Sequence, residues 1–269
     1  MKRVIGWTAL ALMLMPAMVT AQDFQAGRAA YEAGDYATAL REWTPLAEQG
    51  EAYAQALLGV MYANGQGVPQ DDAEAMKWYR LAAAQGIAAA QYDLGVMYHS
   101  GQGVPQDDAE AVKWYRLAAA QSYAKAQFNL GVMYDNGQGV PQDVAEAVKW
   151  YRLAAAQGHA DAQFNLGVMY DNGQGVPQDD AEAVKWYRLA AAQGDADAQY
   201  NLGVMYAKGQ GVPQDFIAAH MWFNISGANG DSQAAVDRDK IAAMLSPADL
   251  STAQRRAKVC MASNYRDCD

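Results

Sequence analysis

Cysteine, histidine and basic residues are scarce in this sequence. Its 269 residues include only two cysteines and three histidines, too few for a disulfide-rich scaffold or a four-cysteine zinc site. The 20 Lys and Arg residues are outnumbered by 30 Asp and Glu residues, which gives a formal net charge of −10. An acidic surface repels phosphates and therefore disfavours nucleic acid as a partner. The hydrophobic content of 52% indicates a folded core and argues against a disordered chain.

Long apolar runs are lacking except near the N-terminus. Lys2 and Arg3 precede a mostly apolar stretch from Ile5 to Val19, and small residues follow up to Ala21. This order is typical of a cleavable signal peptide over residues 1–21. An uncleaved membrane anchor is the alternative, but the stretch is shorter than the ~20 residues that a spanning helix needs. We therefore expect an exported protein, periplasmic or secreted, without stable membrane insertion. Loss of the two basic residues would change its formal charge from −10 to −12.

The sequence repeats itself with a period of 36 residues. A repeat of this length indicates a stack of supersecondary units, each packed against its neighbours. Proline, tryptophan and glycine mark the period at Pro69, Pro105, Pro141, Pro177 and Pro213, at Trp78, Trp114, Trp150, Trp186 and Trp222, and at Gly59, Gly95, Gly131, Gly167 and Gly203.

Each unit has the pattern of two α-helices. In the second unit, Ala90, Leu94 and Met97 give the first helix an apolar stripe, and Trp114 and Ala118 give the second helix another. No segment alternates with a period of two, so we expect no strand. We expect the five repeated tryptophans to occupy equivalent packed positions.

The loop between the two helices carries helix-ending and helix-starting residues. Gly101 and Gly103 can adopt positive φ, and Pro105 cannot continue the first helix. Asp107 and Glu110 then have the spacing of a capping box. A Gly-x-Gly loop can also bind phosphate, but this one follows a helix and lacks the lysine of the nucleotide motifs. We interpret it as a structural linker.

Three consecutive segments of one unit carry a family resemblance. The segments Ala126–Tyr134, Asn136–Asp143 and Ala145–Ala154 resemble the Sel1-like repeat, a longer-looped relative of the tetratricopeptide repeat. The resemblance implies an all-α fold, namely a right-handed α/α solenoid of helical hairpins with a C-terminal helical cap. We expect a degenerate helical pair at 22–50, repeats at 51–86, 87–122, 123–158, 159–194 and 195–230, and the cap at 231–269.

Both cysteines lie near the C-terminus. Cys260 and Cys268 are eight positions apart in a chain that we expect to be exported, which favours a disulfide that fixes the C-terminal tail. Two free thiols are the alternative, and a thioredoxin-type site would need a Cys-x-x-Cys motif that the sequence lacks.

Residues with catalytic potential are few. His99, His159 and His220 belong to three different units without a second metal ligand at helical spacing, so we expect surface histidines. Ser122 and Lys125 fit the Ser-x-x-Lys pattern of penicillin-interacting enzymes, but the Ser-Asp-Asn and Lys-Thr-Gly motifs of those enzymes are absent from the sequence. We expect no catalytic residue, no metal and no cofactor.

A few first-helix positions vary between otherwise similar units. In tetratricopeptide-like solenoids the first helix lines the concave side, and the resemblance implies the same here. Asparagine side chains there could hold an extended peptide backbone, and the acidic surface would prefer a basic segment. The alternative is that the neighbouring aromatic residues are core and the asparagines are only solvated. The candidate partner-binding residues are Asp93, His99, Asn129, Asp135, Asn165, Asp171 and Asn201.

Two classes of function follow from the resemblance. The first is a noncatalytic scaffold or adaptor, expected to be a monomer, that binds a protein or peptide partner. The second is a β-lactam-binding or β-lactam-hydrolysing enzyme, because cysteine-rich exported members of the family are linked to that activity. Those members place a disulfide in every repeat, whereas Cys260 and Cys268 both follow the repeats here. The sequence therefore favours the scaffold.

Overall fold

The protein is described by a computed structural model that covers residues 21–268. The predicted signal peptide lies outside these residues except for Ala21, the first residue of helix α1. Fourteen α-helices and no strand are present in the described range. They are α1 (Ala21–Glu32), α2 (Tyr36–Glu48), α3 (Ala52–Asn64), α4 (Asp72–Ala84), α5 (Ala88–Ser100), α6 (Asp108–Ala120), α7 (Ala124–Asn136), α8 (Val144–Ala156), α9 (Ala160–Asn172), α10 (Asp180–Ala191), α11 (Ala196–Lys208), α12 (Phe216–Ala228), α13 (Ser232–Ala242) and α14 (Pro247–Ala262).

The helices stack as consecutive antiparallel pairs. The two helices of a pair pack along their length, and the second helix of each pair packs against the first helix of the next pair. First helices of successive pairs also touch, as α3 does with α5 and α9 with α11, so the first helices line one continuous surface, which we call the first-helix face. This arrangement confirms the predicted all-α solenoid.

Helix boundaries follow the residues that the sequence predicted. The side chain of Asp107 accepts a hydrogen bond from the backbone N–H of Glu110 (2.9 Å), and Asp143 does the same for Glu146 (2.9 Å). At the other end of the first helix, Gly101 has φ +72°, the left-handed conformation that glycine adopts without strain. The predicted caps are therefore confirmed.

The core of each unit is a tyrosine packed on a glycine. In the third repeat Tyr151 is 1% exposed, and a Cβ atom added to Gly131 would lie 2.7 Å from the Tyr151 ring. Only glycine allows the two helices to approach so closely. The same contact joins Gly59 to Tyr79, Gly95 to Tyr115, Gly167 to Tyr187 and, with phenylalanine in place of tyrosine, Gly203 to Phe223.

The repeated tryptophans are packed but not equally buried. Trp78 and Trp222 are buried, whereas Trp114, Trp150 and Trp186 are half-buried at the edge of the preceding unit's core. All five nevertheless take the expected equivalent place, each against the core cluster of the two helices before it, and only their degree of burial differs. Trp222 belongs to a core cluster that includes residues of α14, a helix that no central repeat has beside it.

The last two helices close the C-terminal end of the stack. Helix α14 lies along α12 and buries Ala253, Ala257 and Cys260. The sulfur atoms of Cys260 and Cys268 are at bonding distance, and their Cα atoms are 4.4 Å apart. This geometry agrees with the predicted disulfide, which ties the tail to a buried position of α14.

Candidate peptide-binding face

The predicted polar row lies on the first-helix face. Asp93, Asn129, Asn165 and Asn201 occupy the same position on α5, α7, α9 and α11, and all four are partly exposed. Each lies beside the hydroxyl group of the buried tyrosine of the preceding unit. The pairs are Tyr79 with Asp93, Tyr115 with Asn129, Tyr151 with Asn165, and Tyr187 with Asn201.

The tyrosine hydroxyls also bring the other predicted residues to this row. Asp135, in the last turn of α7, lies near the Tyr151 hydroxyl, which also faces Asn165 of the next unit. Asp171 accepts a 3.4 Å hydrogen bond from the Tyr187 hydroxyl in the equivalent place. Burial raises the pKa of both carboxyl groups. Predicted residues from adjacent units thus converge at each junction.

His99 occupies the equivalent position in the second repeat. Its Nδ1 atom lies 2.7 Å from Oδ1 of Asp108, the first residue of α6. The imidazole is thereby held at the junction that contains Tyr115 and Asn129, where the next two repeats have a carboxylate. The charge at this position of the first-helix face therefore changes from the second repeat to the third.

Sequence reasoning missed one member of the polar row. Asp237 of α13 stands 36 residues after Asn201 and accepts hydrogen bonds from the Tyr200 hydroxyl (3.0 Å) and from Lys240 Nζ (2.7 Å). The hydrogen bond from Lys240 is the largest cause of the lowered pKa of Asp237. Phe223 has no hydroxyl to offer, so a tyrosine of the first-helix face supplies the partner instead. Continuing the 36-residue period past the last repeat would have found this residue.

The aromatic residues beside the row pack largely as core. Tyr92 lies 5.9 Å from the ring of Tyr115, and Phe128 lies 5.8 Å from Tyr151, between ring centroids. Phe164 and Tyr200 make the same contact in the next two repeats. All are half-buried. These contacts support the alternative that the aromatic residues serve packing, and they leave the Asp and Asn side chains as the accessible polar groups.

Asp93 has the most perturbed carboxyl group of the row. Burial raises its pKa to about 6, and the nearby Lys125 and the Tyr79 hydroxyl only partly offset that effect. Lys125 lies in the first turn of α7 and is exposed. Asparagine at this position in the next three repeats keeps the hydrogen-bonding capacity without the buried charge.

We therefore expect Asp93→Asn to stabilise the array in a pH-dependent way. The folded-state pKa of about 6 exceeds the reference of 3.8, so the ionised carboxyl destabilises the fold as pH rises through this interval. The gain should be about 1–2 kcal/mol at pH 8, allowing for solvent screening, and should vanish near pH 4. Urea unfolding at both pH values measures it. If the free energies of unfolding of wild type and variant differ by the same amount at both pH values, the raised pKa of Asp93 is contradicted. As a control, Asn129→Asp should destabilise the array at pH 8.

The remaining polar candidates have structural surroundings. His159 stacks on Phe128 with ring centroids 4.7 Å apart, and His220 is 2% exposed inside α12, so its predicted surface position is wrong. Ser122 adopts φ +61° and ends α6 where other repeats use glycine. Within residues 21–268 no cluster of metal-ligating side chains is found. In the same range no helix is long and apolar enough to cross a membrane.

The chain belongs to the Sel1 repeat family. The family matches five consecutive segments, which together make up about two thirds of the sequence, at residues 52–87, 88–123, 124–159, 160–195 and 196–231. Proteins of this family are generally protein-interaction scaffolds.

Two solved structures are similar over most of the chain. A Sel1 repeat protein from Oxalobacter formigenes has a TM-score of 0.74 and 39% identity, over 80% of this chain and 86% of the other. The protective antigen c5321 of uropathogenic Escherichia coli strains has a TM-score of 0.81 and 38% identity, over 90% of this chain and 53% of its own length. This chain thus spans about half of that antigen. No curated protein sequence gives a significant match.

Proposed function

We propose that the protein is an exported, noncatalytic and monomeric scaffold that binds a protein or peptide segment along the first-helix face. The observation that carries the proposal is the row of partly exposed Asp and Asn side chains at one position of four successive repeats. Amide side chains offer both donors and acceptors, so such a row can pair with the backbone of an extended segment. The candidate contacts remain Asp93, His99, Asn129, Asp135, Asn165, Asp171 and Asn201.

The carboxyl groups on the first-helix face favour a basic or neutral ligand. Asp135 and Asp171 are half-buried, and burial raises the pKa of each. An unpaired cation of the ligand would therefore gain from contact with them. Association should weaken as the salt concentration rises, because exposed charges are screened.

Export is supported by two features. The N-terminal sequence has the order of a signal peptide, and the cysteine pair at bonding distance fits an oxidising compartment. No observation favours the enzymatic alternative. Ser122 is exposed at a helix end, and the Lys125 of its motif lies near Asp93, a carboxylate of the polar row.

The triple variant Asn129→Ala, Asn165→Ala, Asn201→Ala tests the face. A partner recovered by affinity capture on the wild-type protein is identified by mass spectrometry, and its Kd is then measured by calorimetry. Loss of three hydrogen-bonding groups should weaken binding at least tenfold. An unchanged Kd would show that the ligand lies elsewhere.

Two controls separate binding from folding. Each asparagine also lies beside a tyrosine hydroxyl, so the matched triple Tyr115→Phe, Tyr151→Phe, Tyr187→Phe removes that contact from the core side. This tyrosine triple should lower the free energy of unfolding about as much as the asparagine triple does, but it should leave the asparagine side chains free to bind the partner. Lys113→Ala with Lys149→Ala changes only exposed second-helix residues paired with glutamates, and should leave Kd unchanged.

A further inference from the structure

An apolar cleft opens at the N-terminal end of the first-helix face, between α1 and α3. Its volume is about 500 Å³. Aromatic and aliphatic side chains provide its walls, while Arg28 and Glu32 form an ion pair at its edge (2.8 Å). The apolar lining residues are Phe24, Tyr31, Trp43, Tyr53 and Leu57.

The walls of the cleft are fixed by packing and hydrogen bonds. Trp43 is 1% exposed, and its Nε1 donates to the carbonyl oxygen of Phe24 (3.1 Å). The Tyr31 hydroxyl donates to Oε1 of Gln66 (2.9 Å), which holds the ring against Trp43 with centroids 5.6 Å apart. A preformed wall binds a side chain without first having to be ordered.

The cleft lies one repeat before the first residue of the polar row. Leu57 stands where the next repeat has Asp93, and Tyr53 stands where later repeats have Lys125, Asp161 and Asp197. Tyr53 is 62% exposed, which is high for so large an apolar side chain. Because Leu57 and Asp93 occupy the same position in consecutive repeats, a ligand side chain that fills the cleft would be followed by ligand residues that contact the polar row.

We infer that this cleft anchors one bulky apolar side chain of a peptide that continues, through basic or amide residues, along the first-helix face. The occupant is a segment of another protein, and its chemistry follows from the apolar walls at one end and the carboxylates Asp93, Asp135 and Asp171 beyond them. This inference rests on the proposed function, because it assumes that the polar row binds the rest of the ligand. It adds the ligand's anchor residue and the direction in which the ligand lies.

Three fluorescein-labelled peptides test the anchor. The first is a basic peptide of four Lys-Ser repeats, and the other two carry an added phenylalanine at the N-terminus or at the C-terminus. Fluorescence anisotropy with the purified protein should show that one of the two phenylalanine peptides binds roughly tenfold more tightly than the basic peptide, as burial of one aromatic side chain allows. The end that gives the gain reports the direction of the ligand.

Two variants assign the gain to the cleft. Leu57→Asn introduces the neutral polar residue that the third, fourth and fifth repeats carry at this position, and Tyr53→Ala shortens an exposed side chain of the cleft wall. Both should abolish the gain from phenylalanine without changing the affinity for the basic peptide. Leu117→Ala, on an exposed second-helix position 50% accessible, should change neither. Circular dichroism of each variant confirms that the helices are retained.

The outcomes separate the anchor from the proposed function. Equal affinity of the three peptides would overturn the anchor and leave the polar row standing, whereas no binding of any peptide would overturn both. A gain that appears only after removal of residues 1–20 would assign the cleft to this chain's own N-terminal segment and overturn the inference. Dimerisation that Leu57→Asn abolishes would assign the cleft to a second copy, with the same consequence.

Discussion

Tyr151→Ala should lower the free energy of unfolding by about 3–5 kcal/mol, because it removes a buried aromatic ring and leaves a cavity. Tyr151 is 1% exposed and lies between Gly131 of its own repeat and Phe128, whose ring centroid is 5.8 Å away. Its hydroxyl faces Asn165 of the next repeat, so the ring also joins two repeats. Urea unfolding followed by circular dichroism measures the loss.

Two comparisons show whether the ring or the hydroxyl is responsible. Tyr151→Phe keeps the ring and should cost no more than about 1.5 kcal/mol. Gly131→Ala inserts a methyl group 2.7 Å from the same ring and should destabilise by about 1–3 kcal/mol, even though alanine favours helix. At Gly227 of α12 the nearest atom to an added Cβ is 3.6 Å away, so Gly227→Ala should instead stabilise. Destabilisation by both glycine changes would contradict this account of the core.

Gln127→Leu should destabilise the array by about 2 kcal/mol, although it introduces an apolar residue at a buried position. Gln127 is 3% exposed, its Nε2 donates to the carbonyl oxygen of Ala119 (3.2 Å), and its Oε1 accepts from Nε2 of Gln157 (2.7 Å). These bonds connect three successive helices, α6, α7 and the end of α8. Leucine would remove both bonds, and the Ala119 carbonyl and the Gln157 amide would keep only their local partners, the Ser122 N–H and the Leu153 carbonyl.

A second repeated glutamine provides the matched control for this change. Gln142 is exposed in the loop and donates to the carbonyl oxygen of Asp135 (2.7 Å). Gln142→Leu should change stability by less than about 0.5 kcal/mol, because water can replace the lost bond. Thermal unfolding of the two variants side by side compares them. Equal melting temperatures would mean that the buried amide contacts add nothing to the fold.

The 36-residue period made the fold predictable because every unit repeats the same local signals. The side chain of Asp107 caps its helix, and Gly101 adopts positive φ because it has no Cβ atom. Both features can therefore be predicted from a short window of sequence. The apolar stripe through Leu94 and Met97 likewise depends only on helical spacing. The site was less predictable, because its geometry depends on which residues of adjacent units meet.

The sequence by itself determined the helical pairs and their boundaries, since these depend on residues close together in the chain. The variable polar positions and the acidic charge follow from comparing the units and from composition, and neither requires the packing. Only the tertiary structure decided that Tyr151 rather than Trp150 fills the core, that its hydroxyl meets Asn165 and Asp135, and that Asp237 extends the row. The stacking of one unit on the next sets which side chains reach each other across a junction. Residues 36 positions apart have the same local sequence, but the two ends of the array have different neighbours, and for that reason the apolar cleft occurs beside Leu57, where later repeats have Asp or Asn.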